Sequence, residues 1–247
     1  MSSADPPGPR GPADDGTTGL GESKVRARYR TLGGAGLAEY EEKKSRFIGA
    51  ARPVASEAEA LSFLAEVRAE HRSASHNVYA YSAGEGVPAK RFSDDGEPQG
   101  TAGVPVLDVI EKGGLEDVAI VVTRYFGGTL LGAAGLIRAY GKAASMAAEA
   151  AGVVERSLAR ELAVLVEYPL LGLVKNEIEK SGYVIRRIQY GVDAELTVQV
   201  PHAAAEAFCA RVSELTADAA LVEPIGNSYI TVPATRARDA DLKEARQ

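Results

Sequence analysis

Apolar positions are almost absent from residues 1–27, which hold Pro, Gly, Ser, Thr and Asp instead. Such a segment cannot bury enough surface to offset its ordering entropy, so a disordered tail is expected there. Patterned sequence begins at Tyr29-Arg30-Thr31-Leu32. The loose alternation of Leu37–Lys43 predicts an edge strand, and Arg46–Ala51 a second strand stopped by Pro53. Ser56 and Glu59 have capping-box spacing, with Leu61, Leu64 and Val67 following on one helical face, so a helix is expected to end near Glu70-His71. His76–Tyr81 reads as a strand with Val78 and Ala80 on one face and Tyr79 and Tyr81 on the other.

Residues 84–88 read as a loop, and residues 91–103 as a polar stretch rich in chain breakers. Thr101 is the expected cap of a helix carrying Val104, Val106, Leu107 and Ile110, with Pro105 tolerated in its first turn and Gly113-Gly114 as its stop. A β-branched run from about Asp117 then leads through Val121-Val122-Thr123-Arg124-Tyr125-Phe126 to Gly127-Gly128. This reads as a buried strand, a tight glycine turn and a helix from Gly132 to Ala151. The helix is expected to bury a mostly small face with Leu136, Tyr140, Ala144 and Ala147, while Arg138, Lys142, Ser145 and Glu149 lie largely opposite.

Beyond Gly152 the texture changes. A strand (Leu158–Glu167), a helix (Pro169–Lys180), two strands (Tyr183–Tyr190 and Glu195–Val200), a helix (Ala203–Leu215) and a last strand (Ala219–Ile230) follow. The order β-α-β-β-α-β is that of a ferredoxin-like domain. The expected organisation is a tail over 1–27, a first domain over 28–152, a ferredoxin-like domain over 153–234 and a charged tail over 235–247.

Composition narrows the class. With 247 residues, 45% hydrophobic and 25% charged, the chain has ordinary globular content. No run approaches the roughly 20 apolar residues of a membrane span, and the start lacks the basic and apolar regions of a secretory signal. Cys209 is the sole cysteine, so no intrachain disulfide can form. A soluble cytoplasmic protein is the expectation. The net charge of −6 argues against coating nucleic acid by bulk charge but leaves room for a local basic patch.

His71, His76, His202 and Cys209 have no zinc-type spacing, and no metal site is assigned. Asp94, Asp95 and Glu97 put three carboxylates into four positions of a Gly/Pro loop. They suit Mg²⁺ binding or general acid–base work, or else serve only as a turn. The stretch 127–132 lacks the Gly-Lys-Ser/Thr ending of a P-loop and a true G-x-G-x-x-G. What it retains is a helix N-terminus beside Arg124, which favours an anion. Lys43-Lys44-Ser45-Arg46 and Arg186-Arg187 are short basic clusters. The second, with Tyr183 and Tyr190 nearby, is a candidate RNA contact.

The succession Lys44-Ser45-Arg46-Phe47-Ile48, Ala74-Ser75-His76-Asn77-Val78-Tyr79-Ala80-Tyr81, Ser93-Asp94-Asp95-Gly96-Glu97-Pro98, Gly100-Thr101-Ala102-Gly103, residues 121–132 and Gly135-Leu136-Ile137-Arg138-Ala139-Tyr140 resembles the IMPACT/YigZ family. It covers residues 28–152, and the remainder looks like the small C-terminal domain of bacterial members. Gln99 replaces an expected small residue and Ala134 an expected glycine, which would narrow the backbone's approach to a ligand. The resemblance implies an α+β fold. Its first part would be an α/β sandwich similar to the second domain of a small-subunit ribosomal protein, followed by a ferredoxin-like βαββαβ domain similar to domains of elongation factor G. Eukaryotic members regulate translation by competing for the activator of a stress kinase acting on an initiation factor.

Three functions follow. The first is a translation-associated regulatory binding protein whose partner is the ribosome, RNA or a translation factor. The second is a small-ligand protein or enzyme with an anion or Mg²⁺ cleft between the Asp94–Thr101 loop and Arg124–Gly128. This cleft would draw on His76, Asp94, Asp95, Glu97, Thr101, Arg124, Tyr125, Gly127, Gly128 and Arg138, without an identified cofactor or substrate. The third is a purely structural role in which these polar groups fix loops around an interaction surface. Nothing in the sequence sets the oligomeric state.

Overall fold

The computed structural model describes residues 25–84 and 86–232; residues 1–24 of the tail expected over 1–27, the expected tail over 235–247, and Glu85 within the 84–88 loop lie outside the described residues. The protein is α+β, with two sheets in succession. The first sheet is antiparallel, ordered β2 (Gly36–Glu42), β3 (Ser45–Pro53), β6 (Val118–Tyr125), β4 (His76–Ala83) and β5 (Ala89–Ser93). Helix α1 (Glu57–Glu70) covers one face, while α2 (Gly103–Lys112) and α3 (Ala133–Ala151) cover the other, which makes an α/β sandwich.

Alternation along β4 and β6 divides the core between these faces. Val78, Ala80, Val118, Ile120 and Val122 pack toward α2 and α3, whereas Tyr81, Ala83, Ala119 and Val121 pack toward α1. The small face expected of α3 exists because the sheet comes unusually close to it. A Cβ at Gly49 would lie 2.4 Å from the Ala143 carbonyl oxygen, and one at Gly36 2.3 Å from that of Ala147. Large side chains on that stripe would force helix and sheet apart.

Several local expectations change. The Ser56 cap of α1 is formed, with Ser56 Oγ accepting from the Glu59 N–H at 3.2 Å, while the Glu59 carboxylate reaches one residue further back to the Ala55 N–H at 2.8 Å. Its buried face, however, is Ala60, Phe63, Leu64 and Val67, and Leu61 is exposed. Strand β5 occupies the start of the stretch expected to be irregular; its Lys90 and Arg91 are tolerated because it is an edge strand. Thr101 does not cap α2. That helix starts after Ala102, Val104 is exposed, and the capping carboxylate comes from Asp94. The glycine turn after β6 is a seven-residue loop over 126–132 rather than a tight turn, with Gly132 as the N-cap of α3.

The second sheet contains β7 (Val153–Val166), β9 (Ala194–Pro201), β8 (Val184–Tyr190) and β10 (Leu221–Val232), with β10 and β9 on opposite edges of β7. Helices α4 (Tyr168–Lys180) and α5 (Ala205–Thr216) cover one face, and the βαββαβ order is ferredoxin-like. Its core holds Leu162, Val164, Val166, Val174, Ile178, Leu196, Val198, Phe208 and Val212.

β1 (Arg28–Leu32), expected at the start of the first domain, pairs with β7 instead, from Arg28 opposite Ser157 to Leu32 opposite Val153. Residues 155–157 of β7 are paired by both β1 and β10, and residues 159–165 by both β9 and β10. β1 and β9 therefore follow each other along one edge of β7. Arg26 donates to Glu116 Oε2 (2.6 Å) and Asp117 Oδ2 (2.5 Å) of the first sheet's approach loop, and its own carbonyl accepts from Tyr229 of β10 (2.9 Å). The first strand thus fastens the two sheets together.

Candidate functional site

Strand register sets the site. Phe47 of β3, Arg124 of β6 and His76 of β4 stand opposite one another across three adjacent strands, on the face that carries α2 and α3. The Arg124 guanidinium lies 5.5 Å from the ring centres of both Phe47 and Phe126, a cation–π setting. Its Nη1 donates to Glu97 Oε1 (2.7 Å) and its Nη2 to Ser45 Oγ (3.2 Å), while Nε finds no acceptor among the described residues. The Arg124 and Glu97 side chains are 6% and 4% exposed, so this is a buried ion pair.

Tyr140, fully buried on α3, donates to the same Glu97 Oε1 at 2.7 Å. Burial, and then the hydrogen bond to Glu97, push its hydroxyl far above the ordinary phenol range. His76 Nε2 stands 3.8 Å from Glu97 Oε1. On its other side the ring Nδ1 lies 2.8 Å from the Asp95 carbonyl oxygen. A carbonyl only accepts, so Nδ1 carries the hydrogen and the neutral ring keeps its lone pair on Nε2.

The two aspartates are committed elsewhere. Asp94 Oδ1 accepts from the N–H groups of Ala102 (3.0 Å) and Gly103 (2.8 Å), and Oδ2 from that of Gly100 (2.9 Å). Burial alone would raise its carboxyl, but these three donors hold it below the usual range. Asp95 accepts from Arg68 Nη2 (2.6 Å) and from the Asn77 N–H (2.6 Å). Thr101 Oγ1 donates to the Pro98 carbonyl at 2.6 Å. Asp94, Asp95 and Thr101 therefore hold backbone rather than face a ligand.

Gly127 packs against the β2–β3 turn so closely that a Cβ would lie 2.0 Å from the Lys44 carbonyl. Gly128 has φ +81°, which suits glycine. Two expected members of the cleft are not brought into it. Tyr125 follows Arg124 on β6 and so points to the opposite face, where its hydroxyl meets His71 Nδ1 at 3.0 Å. Arg138 lies on the α2–α3 groove, about 200° around α3 from Leu136. Gln99 and Ala134, expected to narrow the approach, are exposed and outside the cleft lining.

The cleft has a volume of about 350 Å³. His76, Glu97 and Arg124 form its polar end; Phe126, Leu130, Leu131 and Leu136 form its apolar walls, and Gly132 and Ala133 at the start of α3 close it. Sequence reading missed Tyr140, Phe126 and Leu130. A lone hydroxyl-bearing ring on an alanine face was the available signal for Tyr140.

Arg186 and Arg187, on β8, stand on the second domain. Arg186 Nε donates to Gln199 Oε1 at 2.7 Å, and Gln199 Nε2 donates to Ser228 Oγ at 2.6 Å. Tyr183 packs edge-on against Phe208 in the core, and Tyr190 stacks on Tyr168, so neither ring lies beside the two arginines on the face opposite the helices. No described helix is long and apolar enough to cross a membrane.

Two family models match: the Impact N-terminal domain over residues 43–148 and a domain of unknown function over residues 164–219. The chain is 43% identical over 188 residues to the IMPACT family member YvyE of Bacillus subtilis, covering 76% of this chain and 87% of that protein. It is 34% identical over 178 residues to the IMPACT family member YigZ of Escherichia coli, covering 71% and 87%. A crystal structure of a hypothetical protein superposes with a TM-score of 0.53 at 30% identity, covering 82% of this chain and 99% of that one. The two-domain layout is thus that of a recognised group, and the chain belongs to the IMPACT family.

Proposed function

We propose that this protein is a cytoplasmic, translation-associated regulatory binding protein. On this reading it meets the ribosome or a translation factor through the loop over 126–132. The observation that carries it is the exposure of Phe126 (50%) and Leu130 (83%) on that loop, beside a polar cluster whose members bind one another. Exposed large apolar residues grouped on one loop favour a protein surface over bare phosphate. Family membership supplies the link to translation. The RNA version, through Arg186 and Arg187, lacks aromatic rings beside them to stack bases.

Co-sedimentation with ribosomes at low and moderate salt tests this reading. Wild type is expected to co-sediment, and Phe126→Ser/Leu130→Ser to be lost from the pellet. Intact protein that stays in the supernatant at both salts overturns the ribosome version.

A second reading, a small-ligand pocket in the cleft, is favoured by one observation. Glu97 Oε2 accepts no hydrogen bond among the described residues, although its side chain is 4% exposed and lines the cavity. The Mg²⁺ version through Asp94 and Asp95 is disfavoured because each of their oxygens already accepts a hydrogen bond. Thermal-shift screening against nucleotides, phosphorylated metabolites, amines and divalent ions tests the pocket. A hit abolished in Arg124→Met supports it, and a screen without hits overturns it.

A further inference from the structure

Glu97 gives the protein only one of its oxygens. Oε1 takes Arg124 Nη1 and Tyr140, and His76 Nε2 stands 3.8 Å away; Oε2 takes nothing among the described residues. An ionised carboxylate has about four lone-pair directions, and Glu97 uses two of them, both on Oε1. Since Glu97 is nearly buried and lines the cleft, the cavity is where Oε2 can find a donor. Because His76 Nδ1 donates to the Asp95 carbonyl, the ring in its neutral form turns Nε2 as a second acceptor toward the same place. Nε2 stands 3.8 Å from Oε1 of this same carboxylate, so a donor with several hydrogens that reaches Oε2 has the imidazole beside it. An ammonium group is such a donor.

The other end of the cleft has the opposite need. Helix α3 starts at Gly132 with no side-chain cap and no acidic residue in its first turn. The N–H groups of Ala133, Ala134 and Gly135 have no acceptor among the described residues, the first bond of the helix being Leu136 N–H to Gly132 O. Gly132 and Ala133 line the cavity, so the Ala133 N–H at this helix start suits a carbonyl or carboxylate oxygen. Between the two ends stand Phe126, Leu130, Leu131 and Leu136.

Ammonium, carbonyl oxygen and apolar side chain on one carbon define an α-aminoacyl group. We propose that the cleft binds a free α-aminoacyl end with an apolar side chain. Its ammonium sits on Glu97 and His76, its carbonyl oxygen on the first turn of α3, and its side chain against Leu130 and Leu136. This proposal rests on the pocket reading above. Two sources carry this chemistry: a small amino-acid derivative and the N-terminus of a polypeptide. At about 350 Å³ the cleft is at the small end of ligand pockets, sized for the terminal residue and not for a longer segment.

The test titrates the ¹⁵N-labelled full chain with leucinamide, N-acetylleucinamide and an alanine pentapeptide amide begun by leucine, read by amide shifts. Leucinamide is expected to move the amides of 126–135 and to bind at least about tenfold more tightly than the acetylated compound. Glu97→Gln is expected to abolish that preference. Should Glu97→Gln unfold, the wild-type comparison of the two compounds decides alone. Pentapeptide binding equal to that of leucinamide assigns the polypeptide source; binding of leucinamide alone assigns the small amine. Equal affinity for the acetylated compound overturns the aminoacyl proposal and leaves the pocket standing. No shift with any of the three also overturns it, and the thermal-shift screen then decides whether the pocket survives.

Discussion

The two walls of the cleft are built by opposite means. The wall over 94–102 is saturated: Asp94 holds three backbone N–H groups, Asp95 two donors, and Thr101 the Pro98 carbonyl. The wall over 126–132 is anchored at its ends, by Ser75 Oγ on the Phe126 N–H and Ser45 Oγ on the Gly127 N–H at the start and by the Gly132 carbonyl on the Leu136 N–H at the finish. From Gly128 to Leu131 it makes no hydrogen bond among the described residues, and it exposes Phe126 and Leu130 while Leu131 packs against the core. The difference teaches that one wall fixes the position of the charged groups while the other is left to adapt to what arrives.

The comparison breaks most severely at its hinge. Glu97→Ala leaves Arg124 buried without its counter-charge and is expected to cost about 3–5 kcal/mol in urea unfolding. Combining Glu97→Leu with Arg124→Met should recover most of that, because apolar replacements leave no stranded charge. Next comes the anchor of the adaptable wall. Gly127→Ala drives a Cβ into the Lys44 carbonyl, and a loss of about 2–3 kcal/mol is expected, visible as a lowered melting temperature.

A smaller effect, about 1 kcal/mol, is expected for Asp94→Asn, which weakens the cap of α2 in the rigid wall. Its pH dependence has a definite sign. Asp94 is held below its ordinary value of 3.8, so the stability it contributes is full above that value and is lost as pH falls through the native one. Wild type and variant should therefore differ at neutral pH and converge below pH 3.8, as followed by denaturant midpoints across an acid series. Least of all, Leu130→Ser should shift stability by less than about 0.5 kcal/mol while weakening partner capture. A stability loss as large as that of Gly127→Ala would show that the second wall is as rigid as the first.

How much of this was legible in the sequence follows from the range of the interactions. The periodicity of Val78 and Ala80 against Tyr79 and Tyr81 sorted β4 onto its two faces, because alternation is local. The Ser56–Glu59 cap was readable for the same reason. Thr101 was misread because the cap of α2 comes from Asp94, eight residues back, through a loop whose closure no spacing reveals. Arg124 and Glu97 were singled out as candidates, but their pairing depends on the folded loop. Tyr125 and Arg138 were attached to the cleft by proximity in sequence, and the geometry of strand and helix turns each away.

The N-terminal strand has a consequence for how the chain is made. Arg26 and β1 leave the ribosome early, yet their partners on β7 and β10 follow much later; the bond from Tyr229 to the Arg26 carbonyl spans 203 residues. During synthesis the first sheet has its own strands, helices and core before β7 is available, whereas β1 has its contacts with residues 113–117 but must wait for the second domain for its strand partner. Closing so long a loop is slow, and an unpaired strand is a hazard while it waits. The last step of assembly is then the capture of a strand made before the whole of the first sheet.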